Sequence, residues 1–278
     1  MRAVTDDGVE LAVHDLGGVG PPLLLAHPTG FHGRVFEPLA AALADRFRCW
    51  SYDARGHGDS GRPTRTDYHW RDFGADVLAV VERLGLERPS AMGHSQGGTA
   101  LLLAEQARPG TFAGLYLYEP VAFPPDTTAP SMDEHPLVVG ALRRRAHFES
   151  VAAAHDHLAP KPGLRNLHPA ALRAYVEHGF GPAPGGGVTL RCRREDEAQM
   201  YRQGRAHDAF SHLAEVSCPV TVARGAGDSA HHSPELAERQ VALLPAGRLE
   251  AFEGLGHLGP LEDPERVADS VRRALLPG

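Results

Sequence analysis

Gly93-His94-Ser95-Gln96-Gly97-Gly98 sets a serine in a G-x-S-x-G frame, directly after a short apolar run and directly before a helix-forming stretch. That context predicts a strand that ends at the serine, a sharp reversal, and a helix that begins at Gln96. A turn so tight leaves no room for side chains two positions before the serine or one to two after its neighbour. Gly93, Gly97 and Gly98 meet that requirement. The first N–H groups of the helix then point at any negative charge that develops beside Ser95.

Working outward, strands alternate with helices on both sides of this turn. Pro22-Leu23-Leu24-Leu25-Ala26 is a continuous apolar run, as expected for a strand buried on both faces of a parallel sheet. Further strands are predicted at Val9–Leu16, Phe47–Tyr52, Ser90–Met92, Leu115–Tyr118, Pro219–Arg224 and Arg248–Phe252. Helices are predicted at Arg34–Ala44, Asp72–Leu84, Gln96–Arg108, Pro234–Leu244 and Pro264–Leu276. The alternation breaks from about Val121 to Ser217. That stretch is punctuated by Pro and Gly and reads as helices without obvious strands, chiefly Val138–His147, Ala170–His178 and Glu195–His207. Gly181–Gly187 reads as a loop or hinge within it. The expectation is an α/β core domain of residues 1–122 and 213–278 with a helical cap, residues 123–212, inserted after the sixth strand.

A serine hydroxyl needs a base to take its proton, and the base needs a carboxylate to hold its tautomer. His257 follows the Arg248–Phe252 strand in Gly254-Leu255-Gly256-His257, and Asp228 follows the Pro219–Arg224 strand in Gly225-Ala226-Gly227-Asp228. Both are then delivered to the same sheet edge as Ser95. Asp228 is the preferred acid, because a Gly-x-x-Asp turn is the commoner arrangement. Glu119, at the end of the neighbouring Leu115–Tyr118 strand, is the alternative. A tetrahedral intermediate also needs N–H donors, and the backbone amides of Thr29 and Gln96 are the candidates for this oxyanion hole. His27 and His32, in His27-Pro28-Thr29-Gly30-Phe31-His32-Gly33, are expected to brace that loop.

These marks, with Asp53-x-Arg55-Gly56-x-Gly58-x-Ser60, resemble the α/β-hydrolase fold superfamily over essentially the whole chain. The resemblance implies a mostly parallel eight-stranded sheet flanked by helices, with the site at the C-terminal strand ends and the cap above it. His27-Pro28 departs from the family's usual His-Gly; proline there stiffens the loop and removes an N–H. Haloalkane dehalogenases and epoxide hydrolases of this fold use an aspartate nucleophile, which Ser95 disfavours. The Gly-rich loop of proline iminopeptidases is absent. The resemblance therefore implies hydrolysis of a carboxylic ester or lactone. Carbon–carbon bond hydrolysis and cofactor-free perhydrolysis are alternatives on the same triad, and a ligand receptor is an alternative of another class.

Composition narrows the partners. The chain has 278 residues and a formal charge of −7, which argues against nucleic acid or anionic membrane as a partner and leaves a neutral or weakly polar small-molecule substrate. Arg143-Arg144-Arg145 and Arg191, Arg193 and Arg194 read as solvated helix faces. Cys49, Cys192 and Cys218 are widely spaced, and Met1–Gly8 lacks a secretory signal's apolar core, so a reduced cytoplasmic setting is expected. The 17 histidines show no metal-ligand spacing, and neither a metal nor a cofactor is expected.

Overall fold

The computed structural model describes residues 1–125, 132–226 and 232–276. Eight strands form one sheet: β1 (Arg2–Val4), β2 (Glu10–Gly17), β3 (Pro22–Ala26), β4 (Arg48–Tyr52), β5 (Ser90–His94), β6 (Gly114–Tyr118), and, after a long insertion whose strands are numbered β7 to β9, β10 (Val220–Gly225) and β11 (Gly247–Phe252). Their order is β1-β2-β4-β3-β5-β6-β10-β11. Only the β1–β2 and β2–β4 pairs are antiparallel; all others are parallel. Leu23, Leu24 and Leu25 are fully buried on the two faces of β3, which explains the unbroken apolar run. β1 escapes the sequence reading because three residues carry no periodicity.

Helices α1 (Glu37–Leu43), α2 (Trp70–Leu84) and α3 (Gln96–Ala107) link the first strands. The predicted Arg34–Ala44 helix opens as a 3₁₀ turn over Gly33–Phe36, since Pro38 suits the first turn of α1 and lacks an N–H to continue an earlier one. α2 ends on Gly85 in the left-handed region (φ 61°), with Gly85 and Leu86 N–H capping its last carbonyls.

The insertion between β6 and β10 differs from the all-helical expectation. It holds α4 (Pro136–Arg143), α5 (Val151–Leu158), α6 (Pro169–Gly179) and α7 (Arg194–Gln203). It also holds a three-stranded antiparallel sheet of β7 (His147–Phe148), β8 (Phe180–Pro182) and β9 (Val188–Leu190), in the order β7-β9-β8. Strands of two or three residues are too short to alternate visibly. Gly181–Gly187, expected as a loop or hinge, is instead the end of β8 and a hairpin turn, its last three glycines at φ 90°, 103° and 73°. The Val138–His147 helix stops at Arg143 because His147 pairs with Thr189, and the Glu195–His207 helix stops at Gln203.

The insertion shares the core. Phe148, Leu158, Tyr175 and Val176 pack in one cluster with Val35, Phe36 and Leu39, while Met200, Phe210 and Leu213 join the α2–α3 side of the sheet. Beneath α9 (Gly259–Glu262) runs α10 (Pro264–Leu275), whose buried Val267, Ala268 and Val271 close the other face. α8 (Pro234–Leu243) covers β10 and β11. Among the described residues no helix is long and apolar enough to cross a membrane.

Candidate active site

Ser95 sits between β5 and α3 with φ 54° and ψ −117°, a backbone region costly for any residue with a Cβ, typically by ~1–3 kcal/mol. Its neighbours over-determine that geometry. Ser95 N–H donates to the Tyr118 carbonyl (2.9 Å), and the Ser95 carbonyl accepts from Thr99 N–H (3.1 Å). A Cβ on Gly97 would stand 2.1 Å from the Ala26 carbonyl oxygen, and one on Gly93 2.5 Å from the Gly98 Cα. The glycines are thus a steric condition for α3 to lie against β3 and β5, and the small exposed patch of Ser95 faces a cavity of about 1160 Å³.

Glu119 and His257 line the same cavity. Glu119 follows β6 in the left-handed region (φ 46°), and its N–H donates to the Ala223 carbonyl of the neighbouring β10 (2.8 Å). Its Oε1 accepts from Gly225 N–H (3.0 Å) and its Oε2 from His257 Nδ1 (2.5 Å). Burial alone would raise this carboxyl. The His257 hydrogen bond, the positive potential of His257 and His232, and the Gly225 N–H outweigh burial and hold it below the usual carboxylate range. Donation from Nδ1 to Glu119 fixes the tautomer in which Nε2 is the basic nitrogen of the His257 ring. Asp228, the preferred acid in the sequence, lies outside the described residues.

Three hydrogen bonds that the sequence did not disclose place the His257 loop. Buried His94, the residue before Ser95, puts its Nε2 2.7 Å from the His257 carbonyl, with the two rings 5.0 Å apart. Burial, with His257 beside it, depresses the His94 pKa well below the usual value, so the ring is neutral and Nε2–H is the donor. Tyr118 Oη donates to the Gly256 carbonyl (2.8 Å), while Glu262 accepts from Gly256 N–H (2.9 Å). Residues of β5 and β6 on either side of the turn therefore hold the histidine loop as well as the serine. A histidine inside G-x-S-x-G was the only available signal.

The Thr29 loop is fixed from below by two neutral imidazoles. His27 Nε2 accepts from Ala54 N–H (2.9 Å), so its Nδ1 donates to the Pro28 carbonyl (2.9 Å). His57 Nε2 accepts from Gly30 N–H (3.0 Å), so its Nδ1 donates to the Arg55 carbonyl (3.1 Å). Burial pushes His27 down to about 3 and His57 down to about 4, which keeps both as acceptors. Asp53 Oδ1 and Oδ2 accept from Gly33 and Asp59 N–H (both 2.8 Å). Arg55 is buried in a fork on Asp76 (2.6 and 2.9 Å) and reaches Asp7 (2.8 Å). The Asp53–Ser60 motif is thus scaffolding under the loop, and His32, with Nε2 3.3 Å from the Tyr175 carbonyl, ties the loop to α6. Thr29 lines the cavity, and Gln96 opens α3 where a helix N–H has no partner within its own helix.

The insertion supplies the opposite walls. Arg144 donates to Glu197 Oε2 (2.6 Å) and to the Tyr175 hydroxyl, and this pair abuts Gly30, whose added Cβ would lie 2.4 Å from Glu197 Oε1. Arg143, Arg144 and Arg145 all line the cavity; Arg143 and Arg145 are exposed, in keeping with a solvated face, while Arg144 is half-buried on Glu197. Arg191 and Arg194 do not line it; they pair with Asp59 and Glu195 on the surface. Among the described residues no group of three or more His, Cys, Asp or Glu side chains is placed to hold a metal ion.

A fold of this topology with a serine at a positive-φ strand–helix turn defines the α/β hydrolases. The sequence matches the alpha/beta hydrolase family over residues 23–270, and the chain belongs to it. It is 28% identical over 225 residues to the 2-(acetamidomethylene)succinate hydrolase of Mesorhizobium japonicum, covering 81% of this chain and 77% of that protein. It is 31% identical over 260 residues to haloalkane dehalogenase 2 of Mycobacterium tuberculosis, covering 91% and 87%. The crystal structure of E-2-(acetamidomethylene)succinate hydrolase superposes with a TM-score of 0.84 at 25% identity, covering 99% of this chain and 98% of that one. With these relatives, the chain is an enzyme of the α/β-hydrolase class.

Proposed function

We propose that this enzyme hydrolyses a carboxylic ester or lactone through an acyl-enzyme on Ser95, with His257 as base, Glu119 as its carboxylate, and Thr29 and Gln96 N–H as the oxyanion hole. The observation that carries the reading is the 2.5 Å contact of Glu119 Oε2 with His257 Nδ1 beside a cavity that Ser95 also lines. Ser95 Oγ attacks the acyl carbon as His257 Nε2 takes its proton, and Glu119 stabilises the imidazolium. The tetrahedral oxyanion collapses, the proton passes from His257 to the departing alkoxide, and the alcohol leaves; in a lactone it stays tethered. Water then repeats the attack with His257 as base, releasing the carboxylic acid and free Ser95. Only the chain's own groups and water are used.

Residues 123–212 act in this reading as a cap over a core of residues 1–122 and 213–278, supplying walls and excluding water. A serine nucleophile also separates this chain from dehalogenation. Displacing a halide with Ser95 would leave an alkyl ether, which has no acyl carbon for water to attack, whereas a carboxylate nucleophile leaves a cleavable ester. An amide is a second reading of the scissile bond, because the M. japonicum relative is named for a substrate with an acetamido group; it runs through the same acyl-serine.

The test is stopped-flow hydrolysis of p-nitrophenyl acetate, with a fluorophosphonate label read out by peptide mapping. A stoichiometric nitrophenol burst and label on Ser95 are expected. Turnover without a burst, together with label elsewhere, overturns the acyl-serine route.

A further inference from the structure

The cavity's charge is opposite in sign to that of the chain. Arg143, Lys161, Arg165 and Arg205 line it, and among the described residues none of the four has a carboxylate within ion-pair distance. The carboxylates among the described lining residues, Glu119 and Glu262, are engaged with His257 and with Gly256 N–H. Arg144 is excluded from this set because Glu197 neutralises it. In a protein of charge −7, where Arg55, Arg62, Arg71, Arg191 and Arg202 all have acidic partners, these four and Arg145, which lies over the Phe148 ring, make five lining cations without a described carboxylate partner, a local excess. Cations left near one another repel, and a site that keeps them unpaired is suited to an anion.

The four differ in depth. Arg143, Lys161 and Arg165 are exposed, so they stand on the solvent side of the cavity. Arg205 is half-buried, its guanidinium 4.3 Å over the Phe123 ring. Arg205 and Ser95 line the same cavity, and Phe123, under the Arg205 guanidinium, follows Glu119 by four residues, a span of at most ~14 Å even fully extended. The planar fork of an arginine, with one face on an aromatic ring, leaves its edge N–H groups free for a carboxylate.

We infer that Arg205 is the recognition residue for a carboxylate carried on the acyl side of the substrate, with Arg143, Lys161 and Arg165 drawing the anion to the entrance. The natural substrate class is then a half-ester, lactone acid or related carboxylate-bearing acyl compound. This rests on the acyl-hydrolase reading above and narrows it.

The experiment compares monomethyl esters of dicarboxylic acids, from glutarate to suberate, with methyl alkanoates of equal length in which a methyl group replaces the free carboxylate. p-Nitrophenyl acetate serves as a reporter of basal turnover. For the best chain length the charged ester should have kcat/KM at least about tenfold above its neutral match, as a charge-assisted hydrogen bond predicts, and the ratio should shrink in high salt. Arg205→Gln should bring that ratio down by about tenfold, chiefly through KM, and Arg194→Gln, on the outer surface, should leave it at the wild-type value. A ratio near one in wild type, with p-nitrophenyl acetate still cleaved, overturns the carboxylate site and leaves the hydrolase reading standing. A wild-type preference unchanged in Arg205→Gln overturns the assignment to Arg205. Failure to cleave p-nitrophenyl acetate or any of the esters removes both readings together.

Discussion

The sheet edge and the insertion above it position their side chains by different physics. At the edge, Ser95, Glu119 and His257 stand one or a few residues beyond β5, β6 and β11, and backbone hydrogen bonds from adjacent strands fix them. Glu119, for example, is tied to both Ala223 and Gly225 of β10. In the insertion, Arg143, Arg144, Tyr175, Glu197 and Arg205 come from separate helices and connections, and they meet only when α4, α6 and α7 pack. In the proposed mechanism the edge carries the reaction, and the insertion carries the choice of substrate. Opposite charge separates them too: in a net-acidic chain, the charged residues described along the cavity are mostly cations.

The strongest way to break this division is to remove the nucleophile. Ser95→Ala should lower kcat by ~10⁶ while leaving thermal stability close to wild type, because what remains is the oxyanion hole and binding. Activity within tenfold of wild type would end the serine assignment. Next comes the acid. Glu119→Gln keeps the shape but favours the wrong His257 tautomer, with an expected loss of ~10⁴ in kcat. Asp228→Asn is the paired measurement and should stay within about tenfold, since a residue that does not hold His257 has no tautomer to control. The reverse pattern would return the role to Asp228.

Much of the edge was legible in the sequence, and the reason is local. Gly93, Gly97 and Gly98 announce a steric constraint that only a strand–helix turn creates, and His257 follows a strand by the length of one turn. The choice between Glu119 and Asp228 was not legible, because β6 and β10 are neighbours and end side by side. A carboxylate after either strand satisfies the same spacing. The insertion was legible only as helical content. β7, β8 and β9 are too short to show a period, and nothing in Arg143-Arg144-Arg145 says which face of α4 the cavity occupies. His57 was invisible as a positioning residue, since a buried neutral imidazole has no sequence signature, and His94 was marked only by its place inside G-x-S-x-G.

Those imidazoles give the edge a pH dependence of its own. His27 at about 3, and His32 and His57 at about 4, lie below the unfolded value near 6.5, all through burial. Between those values the unfolded chain binds more protons than the folded one, so stability is full above about pH 6.5 and falls as pH drops toward 4. The loss is about 2 kcal/mol per histidine at pH 5, with the sum over three an upper bound because they repel one another. Denaturant unfolding at pH 7.5, 6 and 5 should show this decline, and His57→Gln, which keeps an acceptor for Gly30 N–H, should flatten it. A midpoint independent of pH over that range would mean that the loop is not held by buried neutral rings.

The smallest expected effects make the sharpest comparison, because two tyrosine hydroxyls test the two regions by the same chemical change. Tyr118→Phe removes the donor to the Gly256 carbonyl (2.8 Å), one residue from His257, and leaves that carbonyl without this partner. Such a loss costs about 1 kcal/mol, or roughly fivefold if it falls on the reaction, and it should appear in kcat because it loosens the base. Tyr201→Phe removes a hydroxyl at the insertion wall, 3.5 Å from Glu197 Oε1 and near the Arg144 pair. That contact is long and weak, and it touches no residue of the edge, so the change should be smaller and should appear in KM. Steady-state kinetics on one ester separates the two, and a fall in kcat for Tyr201→Phe equal to that for Tyr118→Phe would show that the insertion takes part in the chemical step. The division between an edge that reacts and walls that select would then have to be abandoned.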